Sequence, residues 1–239
     1  MSDIESKLTR YTRKKNLNSN APAVIICPGG GYEIVGTSEG GPVAGKFAEN
    51  GIEAFVLNYS VGVQNPFPIS MRELALSLVH IRENASAYRI DSDKVYVCGF
   101  SAGGHLAASL SVNWNRDWIE RYDIPKNSKP DKLILSYPVT GKADTGSSSS
   151  FYNLTARLED ESLESFVYTD RHINVDMPDT FIWHNNDDMM VPVTTTIKFI
   201  EQMNKVGISF EAHIFPRGGH ANPFSNEYWF HMMLKWLDN

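Results

Sequence analysis

The sequence predicts an α/β fold in which helices cover both faces of a mostly parallel sheet. Short apolar segments alternate along the chain with longer segments whose apolar residues recur at helical spacing. Strands that are apolar almost throughout are typical of parallel strands buried on both faces. The alternation of strand and helix implies right-handed crossovers between parallel strands. We expect a single domain over residues 1–239, because this length suits one domain with a substantial core.

Six apolar segments have the composition of buried strands. They are residues 23–27, 52–59, 94–98, 132–137, 180–184 and 210–215. The chain before Asn20 is more polar, and we expect it to add one or two antiparallel strands at an edge of the sheet.

Three segments have the pattern of amphipathic helices. They are residues 71–84 with Leu74, Leu78 and Ile81, residues 193–206 with Ile197, Ile200 and Met203, and residues 227–237 with Trp229, Met233 and Trp236. Apolar stripes at this spacing normally face the core, and we expect each of these to do so.

Residues 141–178 form the longest part of the chain without a predicted strand. They include a low-complexity loop, residues 146–150, and one candidate amphipathic helix, residues 158–168. A segment of this length between two strands often forms a lid or the wall of a pocket. We expect a small lid or pocket wall here, because the segment is too short for a large cap domain.

The charge balance argues against nucleic acid and anionic membranes as partners. The formal net charge is -6 and no dense cluster of basic residues is present. The chain has no signal-like apolar start and no run of about 18 apolar residues that could span a membrane. We therefore expect a cytoplasmic protein. Cys27 and Cys98 end apolar segments, where free thiols are usually buried, and they form no C-x-x-C motif.

The most informative motif surrounds Ser101. The run Gly-Phe-Ser-Ala-Gly-Gly, residues 99–104, lies between a predicted strand and a helix-like segment. A G-x-S-x-G sequence in this context is typical of a nucleophile elbow, a sharp turn that exposes a serine hydroxyl above the sheet. Small residues at Gly99 and Gly103 suit a turn this tight. The alternative is a glycine-rich turn that contains a serine by chance.

A serine nucleophile needs a base and an acid that orients the base. Among seven histidines, His220 is the best candidate for the base, since it follows the last predicted strand on a glycine-containing loop. His172, in the long segment, stays a second possibility. Asp188 is the candidate acid, and the adjacent Asp187 is its rival; both could instead cap the helix that follows. The order Ser101, Asp188, His220 is the order this architecture uses.

Three consecutive glycines suggest a site for a developing negative charge. Residues 28–32, Pro-Gly-Gly-Gly-Tyr, directly follow the first predicted strand. Glycines let backbone N–H groups approach a ligand closely. A phosphate loop would need a G-K-[ST] continuation, which is absent, and no dinucleotide fingerprint or metal-ligand spacing is present. The sequence therefore predicts no metal and no organic cofactor.

These motifs resemble the α/β-hydrolase family. The segments Cys-Pro-Gly-Gly-Gly-Tyr (27–32), Leu-Asn-Tyr (57–59), Gly-Phe-Ser-Ala-Gly-Gly-His-Leu-Ala (99–107) and Trp-His…Asp-Asp…Val-Pro-Val (183–193) are similar to those of small acetyl-xylan-esterase-like and lipase/esterase proteins. The resemblance implies a single-domain α/β-hydrolase fold without a large cap domain. It favours Asp188 over Asp187, because the acid in that family lies four residues after the histidine that ends the strand. It also implies that the backbone N–H groups of Gly30, Gly31 and Ala102 form the oxyanion hole.

The resemblance implies a serine carboxylesterase that hydrolyses short-chain esters, acetyl esters in particular, of sugars or oligosaccharides. The partner would be a small-molecule ester, and the oligomeric state is not predicted. Two positions depart from related esterases: Pro28 replaces a histidine and Ser60 replaces a common arginine. Alternative functions are a prolyl-oligopeptidase-type peptidase, a thioesterase or acyltransferase, and a non-catalytic ligand-binding protein.

Overall fold

A computed structural model describes residues 2–15, 18–141 and 148–238 of the chain. The described residues form one seven-stranded sheet with the strand order β1-β3-β2-β4-β5-β6-β7. All neighbouring strands are parallel except β1, which pairs with β3 in the antiparallel sense. The strands are β1 (Leu8–Tyr11), β2 (Ala21–Cys27), β3 (Glu53–Leu57), β4 (Ile90–Phe100), β5 (Leu133–Ser136), β6 (Thr180–Asn185) and β7 (Phe210–Phe215).

The predicted strands are all present, and the predicted edge is a single antiparallel strand. Strand β4 begins at Ile90, four residues before the predicted start, because its early residues carry polar side chains that hide the strand in the sequence. Strand β1 is short and largely exposed to solvent. A short edge strand offers few unpaired backbone groups for pairing with another chain.

Helices cover both faces of the sheet. They are α1 (Ser2–Ser6), α2 (Gly41–Glu49), α3 (Ile69–Glu83), α4 (Ala85–Tyr88), α5 (Ala102–Asn113), α6 (Ser148–Thr155), α7 (Val193–Val206) and α8 (Tyr228–Leu237). Short 3₁₀ segments occur at Asp117–Tyr122, Glu161–Val167 and Thr169–Arg171. None of the helices in the described part of the chain has the length and apolarity that a membrane crossing requires.

The core lies in two layers, one on each face. Along β2, Ile25 packs into the layer under α3 and α5, whereas Ile26 packs into the layer under α2 and α8. Both layers are continuous with fully buried helix residues such as Leu78 and Trp229. Alternate side chains of β2 therefore pack into opposite layers of the core, which is why its sequence is apolar at nearly every position.

One predicted core position is wrong. Ile197 of α7 is 50% exposed, whereas Thr196 and Phe199 are fully buried. The buried face of the helix differs from the predicted one because Thr196 faces the sheet, where its Oγ1 lies at hydrogen-bond distance, 2.7 Å, from His184 Nδ1 at the end of β6. A buried hydrogen bond thus takes a place that the apolar pattern assigned to isoleucine. The stripes of α3 and α8 face the core as predicted.

The long segment before β6 differs from its prediction. Residues 161–167 form a 3₁₀ helix where we predicted an α-helix over 158–168. Its start is tight because the Asp160 side chain accepts the Ser162 N–H and the Asp160 carbonyl accepts the Leu163 N–H. Of the predicted loop 146–150, residues 146 and 147 lie outside the described residues, as do residues 142–145 of the predicted lid, and Ser148–Ser150 belong to α6.

A buried histidine links three parts of the fold. His105 on α5 accepts a hydrogen bond at Nδ1 from Tyr32 Oη (2.8 Å), and its Nε2 donates to the Val167 carbonyl (2.6 Å). This tautomer follows from the partners, since a carbonyl can only accept. The side chain connects the glycine-rich loop after β2, the helix after β4 and the 3₁₀ segment. Burial lowers the pKa of His105 to about 4, although the Val167 hydrogen bond opposes that shift.

We expect His105 to make the fold sensitive to acid between pH 6.5 and 4. The unfolded chain binds a proton at this histidine below pH 6.5, whereas the folded protein excludes it down to about pH 4. Stability is therefore complete above pH 6.5 and is lost as the pH falls through this window, by up to about 3 kcal/mol. The measurement is the free energy of unfolding by urea as a function of pH for the wild type and His105→Gln.

His105→Gln is the matched variant because an amide can also accept from Tyr32 and donate to Val167 without titrating near pH 6. The difference between the two stability curves isolates the histidine, since all carboxyl groups are shared. Parallel curves between pH 6.5 and 4 would contradict the account.

Candidate functional site

Ser101 occupies the turn between β4 and α5. Its backbone has φ 51° and ψ −118°, a conformation that residues other than glycine rarely adopt. The turn is held in place by the Ser101 N–H, which donates to the Ser136 carbonyl of β5 (3.0 Å). The side chain is 8% exposed and lines a cavity at the carboxyl ends of the strands. Strain of this kind is a known feature of functional turns.

His220 lies next to Ser101, on the loop after β7. Ser101 Oγ is 2.8 Å from His220 Nε2, and His220 Nδ1 is 2.6 Å from Asp188 Oδ2. The carboxylate can only accept, so Nδ1 carries the proton and Nε2 accepts from the serine hydroxyl. His172, the second candidate, lies elsewhere: its Nε2 is 2.9 Å from the Ser165 carbonyl and its ring stacks on Phe166.

Asp188 is a buried acceptor with its partners in place. The residue is 5% exposed. Its Oδ1 accepts from the backbone N–H groups of Met190 and Val191, each at 2.9 Å. Its Oδ2 faces His220 and also His184 Nε2, at 3.2 Å. Burial opposes ionisation, but the hydrogen bonds from His184 and His220 outweigh it and hold the pKa of Asp188 well below its usual range.

Asp187, the rival carboxylate, has a different set of contacts. Its Oδ1 accepts from the Gly219 N–H at 2.9 Å. The Gly219 carbonyl in turn accepts from Asn185 Nδ2, also at 2.9 Å. Both backbone groups of the residue before His220 are therefore fixed, one by the last residue of β6 and the other by the loop that carries Asp188. Asp187 holds the histidine loop, and Asp188 holds the histidine ring.

Two contributors to this arrangement were not predicted from the sequence. His184 donates from Nε2 to the Val191 carbonyl (2.9 Å) and so closes the turn that presents Asp188. Asn185 ends β6 and fixes the Gly219 carbonyl. Their positions at the end of a strand, just before the two carboxylates, are the one signal in the sequence that could have found them.

The glycine-rich loop lies opposite Ser101. The β2–β4 register pairs Cys27 with Gly99, so the loop after β2 begins beside the serine turn. Gly30 has φ 129° and Gly31 has φ 63°, conformations that favour glycine. Within residues 2–15, 18–141 and 148–238, nothing accepts a hydrogen bond from the N–H groups of Gly30, Gly31 or Ala102. Ala102 also begins α5, whose N-terminus favours negative charge.

The cavity above Ser101 is small, with a volume of about 270 Å³. Helix α6 contributes to one wall. The lining residues are Gly30, Gly31, Glu33, Glu39, Ser101, Val139, Ser149, Ser150, Met190, Val191, His220 and Ala221. Across the described residues, no group of three or more histidine, cysteine, aspartate or glutamate side chains is placed to hold a metal ion.

Comparison with known proteins shows relatives that act on esters and xylan. The chain is 34% identical over 215 residues to endo-1,4-beta-xylanase B of Butyrivibrio fibrisolvens, covering 87% of this chain and 33% of that protein. It is 29% identical over 224 residues to the acetylxylan esterase of Xylanibacter ruminicola, covering 91% and 44%. The chain thus spans about a third to under a half of the length of these curated relatives.

The similar solved structures also include hydrolases of esters. The acetyl ester-xyloside bifunctional hydrolase from Caldicellulosiruptor lactoaceticus superposes with a TM-score of 0.84 at 30% identity, covering 97% of this chain and 86% of that one. The carboxylesterase Cest-2923 from Lactobacillus plantarum superposes with a TM-score of 0.83 at 25% identity, covering 97% and 91%.

A family model provides the assignment. The BD-FAE model matches residues 10–203, which include the glycine-rich loop, Ser101 and Asp188. Together with the parallel sheet and its structural neighbours, this match shows that the chain belongs to the BD-FAE family of α/β hydrolases.

Proposed function

We propose that this protein is a serine carboxylesterase that hydrolyses short-chain esters, in particular acetyl esters of sugars or oligosaccharides. The observation that carries the proposal is the continuous hydrogen-bonded chain from Ser101 through His220 to Asp188, with distances of 2.8 and 2.6 Å. Such a chain can remove the proton from a serine hydroxyl as it attacks a carbonyl carbon.

In the first half of the reaction, Ser101 Oγ attacks the ester carbonyl and His220 Nε2 takes its proton. The resulting imidazolium carries a positive charge beside the Asp188 carboxylate, which stabilises it and keeps Nδ1 protonated. The carbonyl oxygen becomes an oxyanion. His220 then donates its proton to the departing alcohol, and the C–O bond of the ester breaks to leave the acyl group on Ser101.

The oxyanion would lie among the N–H groups of Gly30, Gly31 and Ala102. These donors are fixed before the substrate arrives, so little reorganisation is needed when the charge forms. The N-terminus of α5 adds a favourable dipole at the same point. In the second half, His220 activates a water molecule, which attacks the acyl carbon and releases the acid and free Ser101.

The preference for a short acyl group is supported by the size of the cavity. Its volume of about 270 Å³ is near the lower limit of ordinary ligand pockets. The sugar part of the substrate is supported by the relatives, among them the acetylxylan esterase and the acetyl ester-xyloside bifunctional hydrolase. The described residues form no large cap over the mouth, which leaves room for a polar alcohol outside the cavity.

We expect 4-nitrophenyl acetate to be the best of a series of 4-nitrophenyl esters from acetate to octanoate. The cavity is small and its lining includes the polar side chains of Glu33, Glu39 and Ser150, so it suits a long apolar chain poorly and kcat/KM should fall by about tenfold or more at octanoate. Ser101→Ala should lower kcat at least about 10³-fold, because the nucleophile is lost. Acetate release from acetylated xylo-oligosaccharides is then measured with the same two proteins.

The thermal melting temperature of Ser101→Ala serves as the control, since the substitution leaves the backbone contacts of the turn in place. A wild type without Ser101-dependent turnover of any ester would overturn the esterase proposal. A preference for octanoate would overturn its short-chain part alone.

We expect the two neighbouring carboxylates to respond very differently to amide substitution. Asp188→Asn should lower kcat by about 10⁴-fold, because an amide cannot hold the required tautomer of His220. Asp187→Asn should lower kcat by no more than about tenfold, because its amide oxygen can still accept the Gly219 N–H. Steady-state kinetics on 4-nitrophenyl acetate measures both.

The pair is matched in chemistry and position, so each variant is the control for the other. Equal losses of kcat, or a larger loss for Asp187→Asn, would show that Asp188 is not the acid that orients His220.

A further inference from the structure

A third buried carboxylate lies at the site and has no part in the mechanism above. Glu39 is on the loop that precedes α2, is 3% exposed and lines the cavity with Ser101. Among the ion pairs of the described residues, none involves Glu39. A buried carboxylate without a cation is costly, so its hydrogen bonds must compensate for lost water.

Both oxygens of Glu39 accept short hydrogen bonds. Oε2 accepts from the Gly29 N–H at 2.6 Å, and Oε1 accepts from Tyr137 Oη at 2.7 Å. Burial, followed by the charge of Glu39, raises the pKa of Tyr137 well above its usual range, so the phenol remains the donor. Hydrogen bonds to a charged acceptor are stronger and more directional than those between neutral groups.

The first bond acts on the glycine-rich loop. Gly29 directly precedes Gly30, and its carbonyl accepts the Gly36 N–H at 2.8 Å, so both backbone groups of Gly29 are fixed. A Cβ atom on Gly29 would stand 2.7 Å from Glu39 Oε2 and 2.9 Å from Ser101 Cβ. The carboxylate and the serine are therefore close neighbours across this glycine.

The second bond acts on the histidine. The Tyr137 ring meets the His220 ring edge to face, with 5.0 Å between centroids. Tyr137 follows β5 with φ 37°, and its N–H donates to the Trp183 carbonyl at 2.7 Å. The Tyr137 side chain is fully buried, so its hydroxyl needs a hydrogen-bond acceptor inside the protein, and Glu39 is that acceptor.

We propose that Glu39 is a positioning residue for the reaction at Ser101. Its one carboxylate joins the glycine-rich loop to Tyr137, whose ring packs against His220. This inference rests on the proposed esterase function. Glu39 forms no hydrogen bond with the Ser101 hydroxyl or with the His220 ring, and it acts through Gly29 and Tyr137. Its two hydrogen bonds couple the position of the oxyanion donors to the position of the general base.

The test compares Glu39→Leu with Glu39→Gln. Leucine fills a similar volume but leaves the Gly29 N–H and the Tyr137 O–H without an acceptor. We expect kcat for 4-nitrophenyl acetate to fall about 100-fold in Glu39→Leu, as for a small displacement of catalytic groups, with KM within about threefold. Glutamine can accept from Gly29 and donate to the tyrosine oxygen, so Glu39→Gln should recover most of kcat.

Glu53→Leu is the matched control. Glu53 is also a buried carboxylate that accepts from a backbone N–H, that of Arg13, and from a side chain, that of Arg10. It begins β3, at the end of the sheet away from the site. We expect Glu53→Leu to lower the melting temperature while kcat per folded molecule stays at the wild-type value.

The outcomes separate cleanly. A Glu39→Leu protein that is folded and retains wild-type kcat overturns the inference and leaves the esterase proposal intact. If Glu39→Leu does not fold, Tyr137→Phe decides: a fall in kcat of about tenfold supports the inference and an unchanged kcat overturns it. A wild type without Ser101-dependent turnover overturns the esterase proposal and this inference together.

Discussion

The architecture of the site depends on the close approach of three backbone segments at the turn after β4. A Cβ on Gly103 would overlap the carbonyl of Cys27, and one on Gly99 would overlap the carbonyl of Gly103. Only glycine at both positions lets α5 begin directly against the end of β2. This contact brings the glycine-rich loop to Ser101 and turns the first N–H groups of α5 toward the same space.

The loops after β6 and β7 are joined by side-chain hydrogen bonds and not by close backbone packing. Asp187 and Asn185 hold Gly219 from both sides, while Asp188 holds the ring of His220. His220 lies on a loop, and hydrogen bonds that cross between adjacent strand ends fix it there. Such support is what a general base needs to remain within reach of its nucleophile.

Much of the fold could be predicted because the buried strands are apolar on both faces. The errors have physical causes. Ile197 is exposed because Thr196 takes the inner face of α7 to reach His184, a tertiary hydrogen bond that periodicity cannot reveal. The 3₁₀ segment at Glu161–Val167 depends on a local cap by Asp160 that apolar spacing does not record.

For the site, the chemistry of Ser101, Asp188 and His220 could be predicted from motif, order and loop position, and the structure brings these three side chains together. Their catalytic roles stay a prediction. Glu39 and Tyr137 could not be found in this way, because they act through contacts between segments distant in sequence. Motifs and spacing in the sequence identify the reactive groups, but they do not identify the residues that keep those groups in position.

The central claim is that His220 and Asp188 activate Ser101, and labelling by a fluorophosphonate tests it most directly. The probe reacts with an activated serine regardless of the natural substrate, and peptide mapping by mass spectrometry locates it. The account predicts stoichiometric labelling of Ser101 in the wild type and labelling slower by at least about 10³-fold in a folded His220→Gln variant. Labelling at another residue, or equal rates in the two proteins, would contradict it.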